Sequence, residues 1–421
     1  MKKIPYLSAL SALPPLSAMI TKWVLLILLL ALPVMPTLVQ AKSGLQYFSK
    51  LSNAGLLMLD AKDRPIKSRH ANKAYIPAST TKLVTAWLAL NHWGENHRFK
   101  TNFYWDAQTK TLFIKGSGDP FLISEEIKVI ANNLKRKGIQ QVNRIVLDTS
   151  LFKDGLIMPG TGRTNNPYDA VPSAIAANFN TINVKRVNRQ IRTAEAQTPL
   201  TRFARYKAKQ YKFKNKKLRI NTGRKPQDAA IYFAEILSVF MRLQNPSIEF
   251  GNVPSVLTQQ PFYVHYNSKT VGEMIKPMMK YSTNFIANQL VLKMSQEVYK
   301  RPANKVDVAA FMKNTLLQRF PHWGNRFSFK DGAGLSRGNR ISPSQLVDLL
   351  NDFKQWAYLL PEIEKNVYAK SGTLNGVSTL AGYIKRYNQY EPFAIMMNQR
   401  VPYRLRNKIA RELSWIQDNA N

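Results

Sequence analysis

The sequence predicts an α+β protein, in which apolar segments of strand length and segments of helical periodicity are both present. Three observations carry that expectation. Leu56-Leu57-Met58-Leu59-Asp60, Ser378-Thr379-Leu380-Ala381-Gly382-Tyr383-Ile384 and Phe393-Ala394-Ile395-Met396-Met397 are apolar runs of strand length. Asn375-Gly376 stands between strand-like runs, and this dipeptide signals a hairpin because both residues tolerate positive φ. Pro77 precedes Leu83, Ala86, Trp87 and Leu90, which recur at helical spacing, so a buried helix is expected after Ser79.

At the N-terminus, Lys2, Lys3 and Lys22 precede an apolar run over residues 23–32, Pro33 and Pro36 interrupt it, and Val39-Gln40-Ala41 offers a small-residue cleavage site. That run is shorter than the roughly 20 residues a membrane span needs. Residues 1–41 are therefore read as a cleaved signal peptide, and the mature protein as periplasmic or otherwise extracytoplasmic. The absence of cysteine fits an oxidising compartment and excludes cysteine ligation of zinc. Of the five histidines, His70, His92, His97, His265 and His322, no two have the spacing of a His-Glu-x-x-His site, so neither a metal nor a cofactor is expected. Cleavage removes three lysines and no acid, which takes the net charge from +36 to +33. A secreted protein this basic is drawn to anionic cell-wall polymer or to a membrane surface.

Further along, residues 99–105 and 111–115 read as strands leading into the turn Gly116-Ser117-Gly118-Asp119-Pro120. The glycine pair lacks the third glycine or following lysine of a phosphate loop. Ser124 is expected to cap a helix that carries Glu125 and Glu126 in its first turn, Ile127, Ile130, Ala131 and Leu134 on one face, and Gly138 at its end. Arg144-Ile145-Val146-Leu147-Asp148 is a strand. Residues 202–225 hold eleven Lys or Arg and no acid. In a cytoplasmic protein that mixture with aromatics suggests nucleic acid, but the export signal argues against it. Tyr211-Lys212-Phe213-Lys214 and Leu218-Arg219-Ile220 alternate with period two, so an edge strand or hairpin with a solvated basic face is expected.

Chemistry enters at three places. Ser79 and Lys82, three residues apart at a helix start, share one face. A serine hydroxyl needs a base to take its proton, and a lysine serves only where burial or a neighbouring cation keeps it partly neutral. Backbone N–H groups at the helix start favour the negative charge of acyl transfer. Ser282-Thr283-Asn284 sets a hydroxyl and an amide two residues apart. Lys370-Ser371-Gly372 lies on the strand entering the Asn375-Gly376 hairpin, where glycine leaves room for a ligand and the lysine and hydroxyl can hold a carboxylate. Singly, each of these patterns recurs by chance.

Taken in order, Ser-x-x-Lys, Ser-x-Asn and Lys-Ser-Gly resemble the penicillin-binding and serine β-lactamase superfamily. The closer resemblance is to the D-alanyl-D-alanine carboxypeptidase/endopeptidase family of low-molecular-mass penicillin-binding proteins, the branch with a large insertion between the first two motifs. Gly116-Ser117-Gly118-Asp119-Pro120, Asn178-Phe179-Asn180 and Asp331-Gly332-Ala333-Gly334-Leu335-Ser336-Arg337 are similar to further signatures of that family. The resemblance implies a catalytic domain built from residues 42–100 and 262–421, an antiparallel sheet flanked by helices, with an inserted α+β domain over 101–261. It implies Ser79 as the acylated nucleophile, Lys82 as its base, and Ser282 with Asn284 as a proton relay. Lys370 and Ser371 would hold the terminal carboxylate, Gly372, Thr373 and Arg337 would complete the substrate-binding set, and the backbone N–H groups of Ser79 and Thr373 would form an oxyanion hole. The implied partners are peptidoglycan stem peptides and β-lactam antibiotics, and no nucleic acid. Two departures stand out: Ser371 occupies a place where threonine is commoner, and the insertion is shorter than in the best-known members.

Rival readings on the same fold are a β-lactamase or esterase, and a wall-binding protein without turnover. A class A β-lactamase needs a glutamate with asparagine four residues on, yet Pro199, Val239 and Pro277 follow Glu195, Glu235 and Glu273 at that distance. A class C enzyme needs Tyr-x-Asn, which the sequence lacks.

Overall fold

The computed structural model describes residues 43–213 and 217–416. The expected signal peptide lies outside them. No helix among the described residues is long and apolar enough to cross a membrane.

Alternation along the strands sets the architecture. In the strand Val377–Arg386, Leu380 and Ile384 enter one core while Ala381 and Tyr383 enter another, so this sheet is buried on both faces. It has six strands, all neighbours antiparallel, in the order Glu362–Glu364, Val367–Leu374, Val377–Arg386, Gln389–Met397, Ala54–Leu59 and Pro65–Arg69. The first and last parts of the described chain meet here, with Leu56 opposite Ile395. One face is covered by the short helix Gly44–Ser49 and the closing helix Leu405–Trp415, through Phe48, Ile409 and Leu413. Glu412 ties the two helices by accepting from the N–H groups of Gly44 (2.6 Å) and Leu45 (2.7 Å).

The opposite face packs on the larger core, whose centre is the helix Thr81–Trp93. Leu83, Val84, Ala86, Trp87, Leu88 and Leu90 are all buried, because this helix is surrounded by other helices rather than lying at the surface. Each fully buried large side chain contributes about 2 kcal/mol of transfer free energy, and the Trp87 indole is also satisfied, donating to Asp352 at 2.7 Å.

A second, five-stranded sheet runs in the order Tyr263–Thr270, Arg98–Asp106, Thr111–Lys115, Arg144–Asp148 and Ser247–Phe250. Its first three strands are antiparallel and the last two join in parallel through crossovers containing the helices Ser124–Arg136 and Pro226–Met241. Those helices share one apolar core with the three-stranded sheet Thr181–Val187, Gln190–Thr193 and Lys217–Asn221. The sequence-based boundaries of the insertion cut through this second sheet. Arg98–Asp106 crosses the first boundary, and Tyr263, just past the second, pairs with Phe103.

Two local expectations are corrected. Ser124 is the first helical residue and not the cap: its hydroxyl bonds Thr198 (2.8 Å) and accepts from Asn178 (2.9 Å), while Asn178 Oδ1 accepts from the Ser124 backbone N–H (2.8 Å) at the helix start. The basic stretch opens with a helix, Arg202–Lys209, capped by Thr201 and seated on Ala204 and Ala208, while Tyr211–Phe213 form no strand. Small residues four apart bury one helical face, and the long basic side chains extend from the rest. Among the described residues of this stretch, Lys217–Asn221 is the expected edge strand, and Lys214 lies outside them.

Candidate active site

Ser79 stands in a single tight turn, Ala78–Thr80, which runs directly into the buried helix. Two contacts hold the turn. Thr379, on the central strand of the six-stranded sheet, donates its hydroxyl to Pro77 O at 2.7 Å, and Thr80 donates to the same carbonyl at 2.8 Å. Ala78 is held at φ 48°, a left-handed conformation that costs a non-glycine residue about 1 kcal/mol or more. The surrounding packing enforces it: the Gly334 backbone lies so close that a Cβ there would sit 1.8 Å from Ala78 O.

One helical turn on, Lys82 is fully buried. Its amine has three neighbours: Ala333 O at 2.6 Å, Asn284 Oδ1 at 2.7 Å and Ser79 Oγ at 3.1 Å. Burial, and then the positive charge of Lys370, pull this amine well below the ordinary lysine range, with Asp331 opposing. A neutral amine has two N–H donors and one lone pair. Two of the three neighbours are pure acceptors, so the lone pair is left for the third, a hydroxyl that can donate its own proton. The contact that joins Lys82 to Ser79 is thus the one that can run in the direction of proton abstraction.

Asn284 is the first residue of the helix Asn284–Tyr299; it accepts from Lys82 and donates to Tyr168 O at 3.2 Å. Ser282 ends the preceding helix, Val271–Tyr281, in the left-handed conformation at φ 56°. Its hydroxyl makes no hydrogen bond among the described residues, so Asn284 meets the Ser79–Lys82 pair directly and Ser282 does not.

The strand Val367–Leu374 brings the third motif alongside. Lys370 and Gly372 face the nucleophile turn: a Cβ on Gly372 would lie 2.7 Å from Pro77 O and 2.8 Å from Ser79 N, so only glycine allows this approach. Lys370 is 2% exposed and donates to Ser371 O at 2.8 Å. Burial, and then the charge of Arg406, push its amine down to about 8. Arg337 is exposed and donates to Asn375 O at 2.9 Å, at the turn that follows the motif.

Several supporting residues carried no assigned role in the sequence reading. Asp331 folds its loop by accepting from the N–H groups of Ala333 (3.1 Å), Leu335 (3.0 Å) and Ser336 (3.1 Å), which aims Ala333 O at Lys82. Burial raises its carboxyl. Asn288 accepts from Gly332 N (3.0 Å), and Thr85 donates to Gly332 O (2.7 Å), locking the same loop to two helices. An aspartate before Gly-x-Gly is a readable turn signal. Thr379 and Arg406 had none, because each reaches the site from a segment remote in sequence.

Set against known proteins, the profile of the D-Ala-D-Ala carboxypeptidase 3 (S13) family matches residues 45–360. The chain is 26% identical over 408 residues to the D-alanyl-D-alanine carboxypeptidase DacB of Haemophilus influenzae, covering 79% of this chain and 82% of that one. It is 24% identical over 418 residues to a D-alanyl-D-alanine carboxypeptidase of Actinomadura sp., covering 82% and 77% respectively. The crystal structure of penicillin binding protein 4 from Haemophilus influenzae shares the fold with a TM-score of 0.70 at 22% identity, over 88% of this chain and 98% of that one. With the family profile spanning most of the chain and a half-buried Ser79 in contact with a fully buried Lys82, the protein belongs to the D-Ala-D-Ala carboxypeptidase 3 (S13) family of penicillin-binding serine peptidases.

Proposed function

We propose that the protein cleaves the D-Ala-D-Ala end of peptidoglycan stem peptides, and D,D-cross-links of the same stereochemistry, through an acyl-enzyme on Ser79. The observation that carries this is the 3.1 Å contact between Ser79 Oγ and a fully buried Lys82 whose other two neighbours are pure acceptors. Neutral Lys82 takes the Ser79 proton as Oγ attacks the penultimate D-Ala carbonyl, whose oxygen gains charge between the N–H groups of Ser79 and Thr373. The proton then passes to the leaving amine, with the Ser282 hydroxyl free to relay it. Collapse of the intermediate breaks the peptide bond, and water deacylates the ester with Lys82 again as base. Lys370, Ser371 and Thr373 hold the carboxylate of the leaving residue, Gly372 keeps the strand close to Ser79, and Arg337 lines the outer rim. β-Lactams enter as mimics that leave a stable acyl group on Ser79.

The division into a catalytic domain (42–100 and 262–421) and an insertion (101–261) is part of this proposal, with the paired strands Arg98–Asp106 and Tyr263–Thr270 as the junction. So is an extracytoplasmic, periplasmic location, which the leader supports. The affinity for anionic wall polymer is assigned to the net charge and to one groove in particular. Arg186, Arg189, Arg192, Arg205 and Lys209 line it and no acid does.

Labelled penicillin should acylate wild type at one site and leave Ser79→Ala unlabelled but folded. An adduct mapped by mass spectrometry to another residue removes Ser79 from its role. Digestion of purified sacculi then separates trimming of D-Ala from opening of cross-links.

A further inference from the structure

Three consecutive residues with no glycine among them, Asn178, Phe179 and Asn180, stand in the left-handed region at φ 50°, 57° and 53°. L side chains avoid that region because Cβ crowds the following carbonyl; asparagine tolerates it, and a bulky aromatic residue occupies it rarely. The two asparagines are accounted for by their bonds. Asn178 Oδ1 accepts from Ser124 N at 2.8 Å, and Asn180 accepts from Ala177 N at 3.1 Å while donating to Val171 O at 2.7 Å and Ser173 Oγ at 2.9 Å. Phe179 has no such bond to make. It is also only half-buried, so the burial of a core residue does not account for a phenylalanine where glycine or asparagine would sit relaxed.

The contacts of the ring give the reason. Phe179 packs edge to face on Phe121, with 5.1 Å between ring centres, and on Phe285 at 6.4 Å. Phe285 is the second residue of the helix Asn284–Tyr299, directly after the amide that accepts from Lys82. Thr283, ahead of that helix, makes no side-chain capping bond, so the first turn is not held from its own end. The left-handed turn holds it instead, at two points. Phe179 presses on Phe285, and Asn180 fixes Ser173, whose backbone exchanges hydrogen bonds of 2.6 and 3.3 Å with the buried Gln289 side chain on the same helix. Immediately after the turn, Ile182 and Val184 enter the core beneath the helices Ser124–Arg136 and Pro226–Met241, whereas Phe121 and Phe179 pack on the core around Thr81–Trp93. Phe121 is itself fixed, its N–H donating at 2.8 Å to the buried carboxyl of Asp119.

We propose that Phe179 is a positioning residue for acyl transfer: a ring from the inserted region, held on a left-handed backbone, that fixes Phe285 and with it the Asn284 amide against Lys82. It acts through Asn284 and not on the substrate. Asn284 and Ala333 O each occupy one N–H of neutral Lys82, which leaves the lone pair for Ser79; if the amide slips, an N–H is free to turn toward Ser79 and the lone pair away from it. A displacement of about 1 Å at such a contact costs roughly 10²-fold in rate, so a rigid support there has a kinetic reason. The inserted region thereby takes part in catalysis. This rests on the reading of Ser79, Lys82 and Asn284 given above.

The test measures acylation by labelled penicillin and turnover of a soluble D-Ala-D-Ala peptide in wild type, Phe179→Gly, Phe179→Leu and Phe179→Tyr. Phe179→Gly removes the ring and relaxes the backbone, so acylation should slow roughly 10- to 100-fold, with kcat for the peptide reduced and KM within about threefold. Phe179→Tyr keeps the ring and should recover most of the rate. Phe179→Leu, which keeps apolar bulk without the ring, should fall between, and it carries the test by itself if the glycine variant does not fold. Adding Phe285→Ala to Phe179→Gly should slow acylation little further, because two residues that act through one contact are not additive. A folded glycine variant that acylates at the wild-type rate, a loss that falls on KM, or full additivity with Phe285→Ala overturns the assignment and returns Phe179 to plain packing. A wild type left unlabelled at Ser79 refutes the acyl-enzyme reading itself, which is a separate failure.

Discussion

Lys370→Met should make the protein more stable at neutral pH while disabling it. In the folded chain Lys370 is 2% exposed and, among the described residues, makes one hydrogen bond, to Ser371 O, and has the cation Arg406 nearby with no acid paired to it. Its amine drops from 10.5 to about 8 on folding, a shift worth about 3 kcal/mol of penalty at neutral pH. The sign follows from proton binding. Between pH 8 and 10.5 the unfolded chain holds the Lys370 proton more firmly than the folded one, so stability rises with pH through that window and the penalty is fully present below it. Methionine has similar length and no charge. Subtracting about 1 kcal/mol for the lost bond to Ser371 O leaves a gain of roughly 2 kcal/mol at pH 7. That gain should shrink as pH rises to 10.5 and vanish above it, where the wild-type amine is neutral in both states. Urea unfolding followed by tryptophan fluorescence at pH 7 and pH 10, wild type against variant, reads the difference directly. Turnover of free-acid peptides should fall at least tenfold in the same preparation. A variant less stable than wild type at pH 7, or one whose advantage is the same at both pH values, would refute the argument that Lys370 is a strained cation waiting for an anion.

Lys82→Arg keeps the charge but not the ability to lose it, so penicillin acylation should fall by roughly 10² to 10⁴ even where the fold survives; near-normal labelling would remove Lys82 from the base role. Gly334→Ala forces a Cβ to 1.8 Å from Ala78 O at φ +85°, so the Ser79 turn or the Asp331 loop must move, and acylation should drop more steeply than thermal stability. Unchanged acylation would show that the turn tolerates displacement. In wild type, free-acid turnover should decline as pH passes about 8 and Lys370 loses its proton, whereas the C-terminal amide of the same peptide should show no such decline; a shared decline assigns it to another group. Replacing Arg189, Arg192 and Arg205 with serine should weaken binding to sacculi and flatten its salt dependence while soluble-peptide turnover holds, and unchanged binding would return that groove to a solvated surface.

What the sequence determined by itself is local. The Ser79 turn and its helix follow from Pro77 and the spacing of Leu83, Ala86, Trp87 and Leu90, and the Asn375-Gly376 hairpin follows from two residues that accept positive φ, with Gly376 observed at 69°. Ser79 and Lys82 meet because three residues make nearly one helical turn. Two features lack a strong local signal. The helix Arg202–Lys209 hides behind long basic side chains, since Ala204 and Ala208 are too small to mark a face, and the N–H at the start of the helix Ser124–Arg136 is met by Asn178 Oδ1, 54 positions away, and not by the Ser124 side chain. Tertiary structure alone decided the state of the site. Ala333 O reaches Lys82 across 251 positions, Thr379 reaches Pro77 across 302, and Arg406 reaches Gly372 across 34. Whether Lys82 is a base or a surface cation depends on burial and on the nearness of Lys370. Neither can be read from residue spacing, because both arise only when strand, loop and helix close on the same few ångströms of space.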